Sequence, residues 1–404
     1  MAPLMSSDTP ALPASAPRPV IALGLEYPLR FRGGVSVLVE ELIAGLLHQY
    51  TIVLVSPDDD PPLPDVAHVW WDPSAPRRRQ SRALVAELKE HGVELVHFHT
   101  GGNYGWGNRF PEQSPIVYAS RAGIRVIVTS HSVVTFLDGF CGPQKPLWFK
   151  LCVLPIAWLG KMQALWHSRL EVAVSSNNQR KLQAWYPPFR GKLRQVYHSR
   201  LREACEPGDD VHRKSTILAV GHIAFRKGQH VLAEAFAQVA ERHPRWRLCL
   251  VGATAEEACR DAILKTAARA NLGDRLELVG SRDDTWLRMQ RAGVFVQPSL
   301  EEALGLALQE ALFAGCACIG TRAGGIPELI EDGVNGLLVP ANNPADMATA
   351  LDRMLSDGTL RRRLADEARR SISQKQMMRD DMIRAHSRLY AELLGNAAPT
   401  ARCG

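Results

Sequence analysis

The sequence alternates short apolar runs with stretches of helical periodicity, and this alternation constrains the fold more than any other feature. The first two runs, Val20–Leu25 and residues 51–55, contain almost no polar side chains, which indicates strands buried on both faces of a sheet. Between them, apolar residues from Val35 to Leu46 recur at the spacing of one helical face. This order is typical of parallel strands joined by helical crossovers.

The alternation occurs twice, on either side of a polar segment at residues 200–214 that contains Pro207 and Gly208. Such a segment is typical of a domain boundary. We therefore predict an α/β protein of two doubly wound domains with a ligand in the cleft between them. The predicted parts are a disordered tail (1–18), a first domain (19–200), a linker (201–214), a second domain (215–375) and a C-terminal segment (376–404). Further strands are predicted at 93–99, 125–129, 171–175, 193–197, 215–220, 247–251, 275–279 and 294–296, and helices at about 229–243 and 377–394.

Composition narrows the class of protein. The chain has 404 residues, 46% apolar and 22% charged, which fits a globular protein and excludes a disordered chain or a coiled coil. The net charge of +6 suits a phosphate-bearing ligand or an anionic membrane face. The sequence has no basic stripe with interleaved aromatic residues, so we do not predict that it binds nucleic acid. The N-terminus lacks the pattern of a secretory signal, and no apolar run is long enough to predict a spanning helix.

The cysteines indicate a reducing compartment, so the predicted location is the cytoplasm. None of the eight forms a Cys-x-x-Cys pair, and most lie inside apolar runs. They are predicted to be small buried thiols. They are Cys141, Cys152, Cys205, Cys249, Cys259, Cys316, Cys318 and Cys403.

Familiar cofactor motifs are missing from the sequence. A dinucleotide-binding domain should carry G-x-G-x-x-G after its first strand, where this chain has Arg32-Gly33-Gly34-Val35. A Walker A loop is also absent from the sequence, and no Asp-x-Asp suits a metal-bound diphosphate. We therefore expect no cofactor and no metal ion.

Two groups of residues in the second domain suggest an anion site and a site for hydroxyl groups. Arg226, Lys227 and Gly228 precede a predicted helix, whose N-terminus would favour an anion, although two solvated cations are the open alternative. Glu310 lies among apolar helical residues and needs hydrogen-bond partners there, unless it is an ordinary exposed residue. Gly305 would let the backbone approach a ligand closely.

These residues occur in an order that resembles family 4 of the retaining glycosyltransferases, which have the GT-B fold of two Rossmann-like domains. The resemblance is carried by Gly221, Arg226-Lys227-Gly228, Pro298-Ser299, Glu302-x7-Glu310, Gly324-Gly325-Ile326-Pro327-Glu328 and the segment 333–339. The first domain adds Gly33-Gly34 and Thr129-Ser130-His131. The match is strongest from about 215 to 345.

The resemblance implies a role for each matching residue. Lys227 and Arg226 would hold the diphosphate of a nucleotide-sugar, and Glu310 the ribose hydroxyls. Glu302 would face the transferred sugar, with the backbone of Leu304, Gly305 and Leu306 around it. Gly33 and Gly34 would let the first domain close on the phosphates, and His131 would lie beside the reacting sugar. The C-terminal helix would pack back on the first domain.

The chain departs from the family pattern in two places. Members usually have Gly-Arg where this chain has Gly221-His222, so His222 replaces one expected phosphate-binding cation. The Asn-Gly often found at the end of the first domain is replaced by Tyr197-His198-Ser199, from which no function is drawn.

Two further segments carry alternatives. Residues 146–166 combine three tryptophans with aliphatic residues and lysines, which fits either an interfacial helix that meets a lipid-linked acceptor on an anionic membrane or a buried core helix. His97, His99 and His131 could bind zinc, but histidines that contact an acceptor or the backbone are favoured.

The predicted function is that of a retaining, metal-independent hexosyltransferase. It would use a UDP- or GDP-linked sugar and a lipid-linked or growing glycan of cell-surface polysaccharide synthesis. The alternatives are an inactive nucleotide-sugar binder or assembly partner, which the substitution at His222 supports, and a GT-B phosphorylase or epimerase.

Overall fold

A computed structural model of the chain describes residues 17–29, 33–57, 63–72, 77–102, 105–106, 110, 114–133, 145–201 and 214–395. Most of the predicted tail and linker, together with Arg32, Cys141, Cys205 and Cys403, lie outside these residues. The chain divides into two compact units. The first comprises 1–173, 181–196 and 382–404, and the second 174–180 and 197–381.

The first unit contains a seven-stranded parallel sheet in the order β3-β2-β1-β4-β5-β6-β7. Its strands are β1 (Val20–Leu25), β2 (Thr51–Ser56), β3 (Val66–Trp70), β4 (Leu95–Thr100), β5 (Arg125–Ser130), β6 (Leu170–Ala173) and β7 (Leu193–Gln195). Its helices are α1 (Gly34–Leu46), α2 (Arg77–Glu90), α3 (Pro115–Arg121) and α4 (Leu147–His167). Helix α5 (Ser176–Trp185) spans a division between the units.

The second unit contains a six-stranded parallel sheet in the order β10-β9-β8-β11-β12-β13, which is the strand order of a Rossmann fold. Its strands are β8 (Lys214–Val220), β9 (Arg247–Val251), β10 (Leu276–Gly280), β11 (Ala292–Gln297), β12 (Ala317–Thr321) and β13 (Leu337–Val339). Its helices are α6 (Gln229–Val239), α7 (Glu257–Arg269), α8 (Thr285–Arg291), α9 (Leu306–Phe313), α10 (Ile326–Leu329), α11 (Pro344–Ser356) and α12 (Gly358–Gln374). Helix α13 (Arg379–Leu394) lies mostly in the first unit.

Each face of the second sheet has its own apolar core, because successive side chains of a strand point to opposite faces. Ile217 and Ala219 of β8 belong to one cluster, whereas Leu218 between them belongs to the other. Because both faces of the sheet are buried, nearly every residue of these strands is apolar, which explains the continuous apolar runs in the sequence. The predicted α/β class with two doubly wound sheets is therefore confirmed.

The division between the units differs from the predicted boundary near residue 200. Residues 174–180 belong to the second unit, where the carboxylate of Glu328 accepts hydrogen bonds from the backbone N–H groups of Ser176 (2.9 Å) and Asn177 (2.7 Å). The second unit also extends past the predicted end at 375, because Met377 and Met378 pack into one of its cores. Both features depend on contacts between distant segments.

Cys152 corrects the prediction that the cysteines are buried. Cys249, Cys259, Cys316 and Cys318 are buried and form no disulfide, but Cys152 is exposed on α4. The reason is that α4 turns several large apolar residues outward. No helix in the described part of the chain has the length and apolar character needed to cross a membrane.

Candidate functional site

Two loops meet at the carboxyl edge of the second sheet, where the strand order reverses between β8 and β11. This is the place at which open α/β sheets bind their ligands. Lys227 follows β8 and Glu302 follows β11, and the Lys227 Nζ lies 2.7 Å from the Glu302 Oε2. The structure therefore brings together two residues that the sequence places 75 positions apart.

The carboxylate of Glu302 has several donors. Its Oε2 also accepts hydrogen bonds from Ser299 Oγ (3.0 Å) and Gln297 Nε2 (3.1 Å). Burial raises the pKa of this carboxyl, but the charge of Lys227 and the hydrogen bonds from Lys227 and Ser299 outweigh it, so the net pKa is lowered. Glu302 is thus a fixed anion at neutral pH.

Glycine is required at two points of close backbone approach around this pair. Gly228 has a φ of +70°, and a Cβ there would overlap the carbonyl oxygen of Pro298. Gly324 has a φ of +56°, and a Cβ there would overlap the carbonyl oxygen of Glu302. Both motif glycines therefore let neighbouring loops pack against the 298–302 segment.

Arg226 and His222 occupy the same loop as Lys227. The carbonyl oxygen of Arg226 accepts a hydrogen bond from Leu300 N (2.8 Å), which ties the cationic loop to the loop after β11. Burial and then the charges of Arg226 and Lys227 lower the pKa of His222. His222 is therefore neutral at pH 7 and does not supply the charge of an arginine.

Glu310 lies inside α9 and is buried, with only 5% of its surface exposed. The Arg200 guanidinium provides its partner through two parallel contacts, Nε to Oε1 and Nη2 to Oε2, the second at 2.9 Å. The sequence analysis expected Glu310 to need a hydrogen-bond partner. In the structure this partner is Arg200, which the sequence analysis did not single out. The chain before α9 supplies buried Leu304 and then Gly305 with a φ of +104°, directly before Leu306.

In the first unit, Gly33 and Gly34 begin α1. Gly33 is the N-cap residue, and its carbonyl oxygen accepts the hydrogen bond from Val37 N (3.2 Å). The two glycines follow β1, so they lie at the carboxyl edge of the first sheet. Their contact with phosphate groups stays a prediction.

His131 directly follows β5 at the same edge, and a column of buried histidines lies behind it. His131 Nε2 is 3.0 Å from His99 Nδ1. The His97 and His99 rings are 4.1 Å apart, and His97 also contacts Tyr390 Oη (2.6 Å) and Thr129 Oγ1 (2.7 Å). Burial is the main cause that lowers the pKa of His131 well below its usual value, and electrostatic repulsion from His99 and from His386 of α13 lowers it further. The His131 ring is therefore neutral.

Within the described ranges, no group of three His, Cys, Asp or Glu side chains is arranged to hold a metal ion. His97 instead makes hydrogen bonds to Tyr390 and Thr129. These partners are side chains, so contact of the histidines with an acceptor stays a prediction.

Glu26 is a buried carboxyl that the sequence analysis missed. It directly follows β1 and accepts a hydrogen bond from Trp106 N. Burial raises its pKa to about 7, even though hydrogen bonds from the backbone of Trp106 and Gly101 lower it. A single glutamate after a strand carries no motif, so only the structure could find it.

Comparison with known proteins gives two family matches that together cover most of the chain. The family described as "Glycosyltransferase Family 4" matches residues 32–199, and that described as "Glycosyl transferases group 1" matches residues 207–371. The D-inositol 3-phosphate glycosyltransferase of Corynebacterium jeikeium is 31% identical over 303 residues, which cover 69% of this chain and 68% of that protein.

Other relatives match over shorter lengths. The N-acetyl-alpha-D-glucosaminyl L-malate synthase of Bacillus anthracis is 31% identical over 43% of this chain and 45% of its own length. The chain spans between 35% and 51% of this and three further curated relatives. Among solved structures, Anabaena Alr3699/HepE in complex with UDP and glucose has a TM-score of 0.72 at 18% identity, with 93% of this chain and 99% of that chain covered.

Proposed function

The chain belongs to the group 1 glycosyl transferases with the GT-B fold, and on this premise we propose that it transfers a hexosyl group from a nucleotide-sugar with retention of configuration. The observation that carries the proposal is the Lys227–Glu302 pair at the switch point of the second sheet. A fixed cation for the diphosphate lies beside a fixed carboxylate for the sugar. The solved structure of HepE with UDP and glucose supports a nucleotide-sugar donor.

The chemistry follows from this arrangement. Departure of a nucleoside diphosphate builds negative charge on the leaving oxygen, which Lys227 and Arg226 stabilise without reorganisation. The anomeric carbon becomes cationic, and Glu302 offers negative charge near it. The acceptor hydroxyl attacks from the face that the leaving group vacates, and the departing phosphate takes its proton. We propose that no divalent metal takes part.

We expect one nucleoside diphosphate to stabilise the folded protein in the presence of EDTA. A ligand at 100 times its Kd adds about 2.7 kcal/mol to the free energy of unfolding, which raises Tm by roughly 5–10 °C in a domain of this size. Thermal unfolding is measured with UDP, GDP, ADP, UDP-glucose, UDP-N-acetylglucosamine and GDP-mannose. The shift should disappear in Lys227→Ala.

The matched control for this measurement is Lys265→Ala, which removes an exposed lysine of α7 in the same unit. It should keep the full shift. A shift that appears only with added Mg²⁺ contradicts the metal-free donor site, and a folded protein that responds to none of the six compounds contradicts the donor itself.

For the acceptor, we propose a lipid-linked glycan reached at an anionic membrane face of the cytoplasm through α4. This helix is unusual because its buried face consists mainly of small residues, Ala157, Gly160 and Ala164. Its outward side carries the large apolar residues Trp148 (66% exposed) and Leu151 (59%). An exposed apolar surface marks an interaction site, and it lies on the first half of α4, whereas the second half packs into a core through Leu165.

We expect the double variant Trp148→Glu/Leu151→Glu to lower binding to vesicles of phosphatidylglycerol and phosphatidylcholine at least about tenfold. Removing two large apolar side chains from the lipid interface costs several kcal/mol, and the added carboxylates are repelled by anionic lipid. Co-sedimentation measures the bound fraction. The control Leu264→Glu replaces one exposed leucine of α7 in the second unit with a carboxylate. Equal vesicle binding by all three proteins contradicts the membrane role.

A second candidate function, an inactive nucleotide-sugar binder, is favoured by one observation. His222 stands where the family has an arginine and is neutral at pH 7. The two candidates differ in turnover rather than in binding. Release of nucleoside diphosphate from the stabilising donor, measured with acceptor-containing membranes, identifies the transferase, whereas donor binding without any release identifies the binder.

A further inference from the structure

The Arg200–Glu310 pair is unlike an ordinary surface ion pair. Glu310 is buried in α9, whereas the Arg200 side chain is 39% exposed and reaches the carboxylate with two of its nitrogens. Parallel contacts of this kind fix both the position and the plane of a carboxylate. The two residues are 110 positions apart, so the fold has brought them together.

The backbone on both sides of Arg200 is fixed. Ser199 is fully buried, and its Oγ accepts a hydrogen bond from Leu201 N (3.1 Å). Leu201 packs into a core of the second unit, and its carbonyl oxygen accepts a hydrogen bond from Arg379 N (2.8 Å). The guanidinium therefore projects from a rigid support, as a residue that orients another side chain must.

We propose that Arg200 is a positioning residue that orients the Glu310 carboxylate toward the two vicinal hydroxyls of the nucleotide ribose. This inference rests on the proposed function. A carboxylate offers about four acceptor sites, and a guanidinium that binds both oxygens uses one on each. One acceptor site per oxygen remains, which matches two neighbouring hydroxyl groups. The chain thus uses the 197–201 segment, which lacks the Asn-Gly of the family, to support the ribose site.

The test compares affinity for a ribonucleotide with that for its 2′-deoxy analogue. Calorimetric Kd values are measured for UDP and 2′-deoxy-UDP, or for GDP and 2′-deoxy-GDP if guanine is the base that binds. Wild-type protein should prefer the ribonucleotide about tenfold, because a hydroxyl bonded to a charged group is lost in the analogue. In Arg200→Met this preference should fall below about threefold, while affinity for the deoxy analogue changes little.

Two variants define the cause of any change. Arg200→Lys keeps the charge but makes no paired contacts, so it should show an intermediate preference and carries the comparison if Arg200→Met does not fold. Arg242→Met removes a different arginine–carboxylate contact of the second unit, Arg242 Nε to Asp352 Oδ1 at 3.0 Å. It should keep the wild-type preference.

Three results overturn the inference. An unchanged preference in Arg200→Met would mean that Arg200 only stabilises the fold. Tighter UDP binding by Arg200→Met would mean that the guanidinium competes with the ribose for Glu310. Failure of wild-type protein to bind any nucleoside diphosphate would overturn the proposed function as well, which separates that failure from the other two.

Discussion

Replacing Lys227 with alanine is expected to lower the rate of glycosyl transfer by about two to three orders of magnitude. The ammonium is held 2.7 Å from Glu302, in a loop tied by the Leu300 N–Arg226 O hydrogen bond, so under the proposed function it would need no reorganisation to contact the leaving diphosphate. Removal of one fixed donor to a developing anion costs about 10²–10³ in kcat. The measurement is the release of nucleoside diphosphate at saturating donor.

Two further variants separate this effect from damage to the fold. Lys227→Arg keeps a cation and should recover part of the rate, whereas exposed Lys265→Ala should leave it unchanged. Loss of Lys227 also leaves the Glu302 carboxylate without its nearest cation, so its pKa should rise toward the value that burial favours. A turnover of Lys227→Ala within threefold of wild type would show that Lys227 does not stabilise the leaving group.

Most strands were predictable where both faces of the sheet are covered, because burial on two sides leaves an apolar run in the sequence. Buried β12 and β13 were nevertheless missed, since β12 includes Gly320 and Thr321 and β13 has only three residues. Strand β3 was missed for a different reason. It forms one edge of its sheet, and its His68 and Trp70 are exposed, so it shows no such run. Helix α4 gave an ambiguous signal, since its first half exposes large apolar residues such as Trp148 and Leu151, whereas its second half packs into a core through Leu165.

The site was predictable where a motif lies on one short segment. Lys227, Glu302 and Glu310 could each be identified as candidates from local spacing and resemblance, and their contacts with a ligand stay predictions. Arg200 could not be identified from the sequence, because its importance depends on a contact with Glu310, which lies 110 positions away. The segment 197–201 also lacks the Asn-Gly of the family pattern, so no motif points to Arg200. The sequence analysis grouped His97, His99 and His131 but did not predict the hydrogen bond between His97 and Tyr390 of α13, because the two residues are 293 positions apart. Local sequence fixes a strand end, whereas long-range packing decides which side chains meet there.

Replacing Lys161 with methionine is expected to lower the free energy of unfolding of the first unit by about 3–5 kcal/mol. Lys161 Nζ lies 2.7 Å from Glu171 Oε1, and Ser130 Oγ donates to the same oxygen at 2.8 Å. All three side chains are buried. Methionine matches the volume of lysine but leaves the Glu171 carboxylate buried without its cation, which is the costly way to break such a pair.

Urea unfolding followed by tryptophan fluorescence measures this loss, since seven of the nine tryptophans belong to the first unit. The exposed pair Arg125–Glu94 in the same sheet provides the control, and Arg125→Met should cost less than about 1 kcal/mol. The double variant Lys161→Met/Glu171→Met should regain most of the stability, because two apolar side chains replace two buried charges. If the double variant is as unstable as Lys161→Met, the loss comes from disturbed packing under α4, and the buried charge of Glu171 is not its cause.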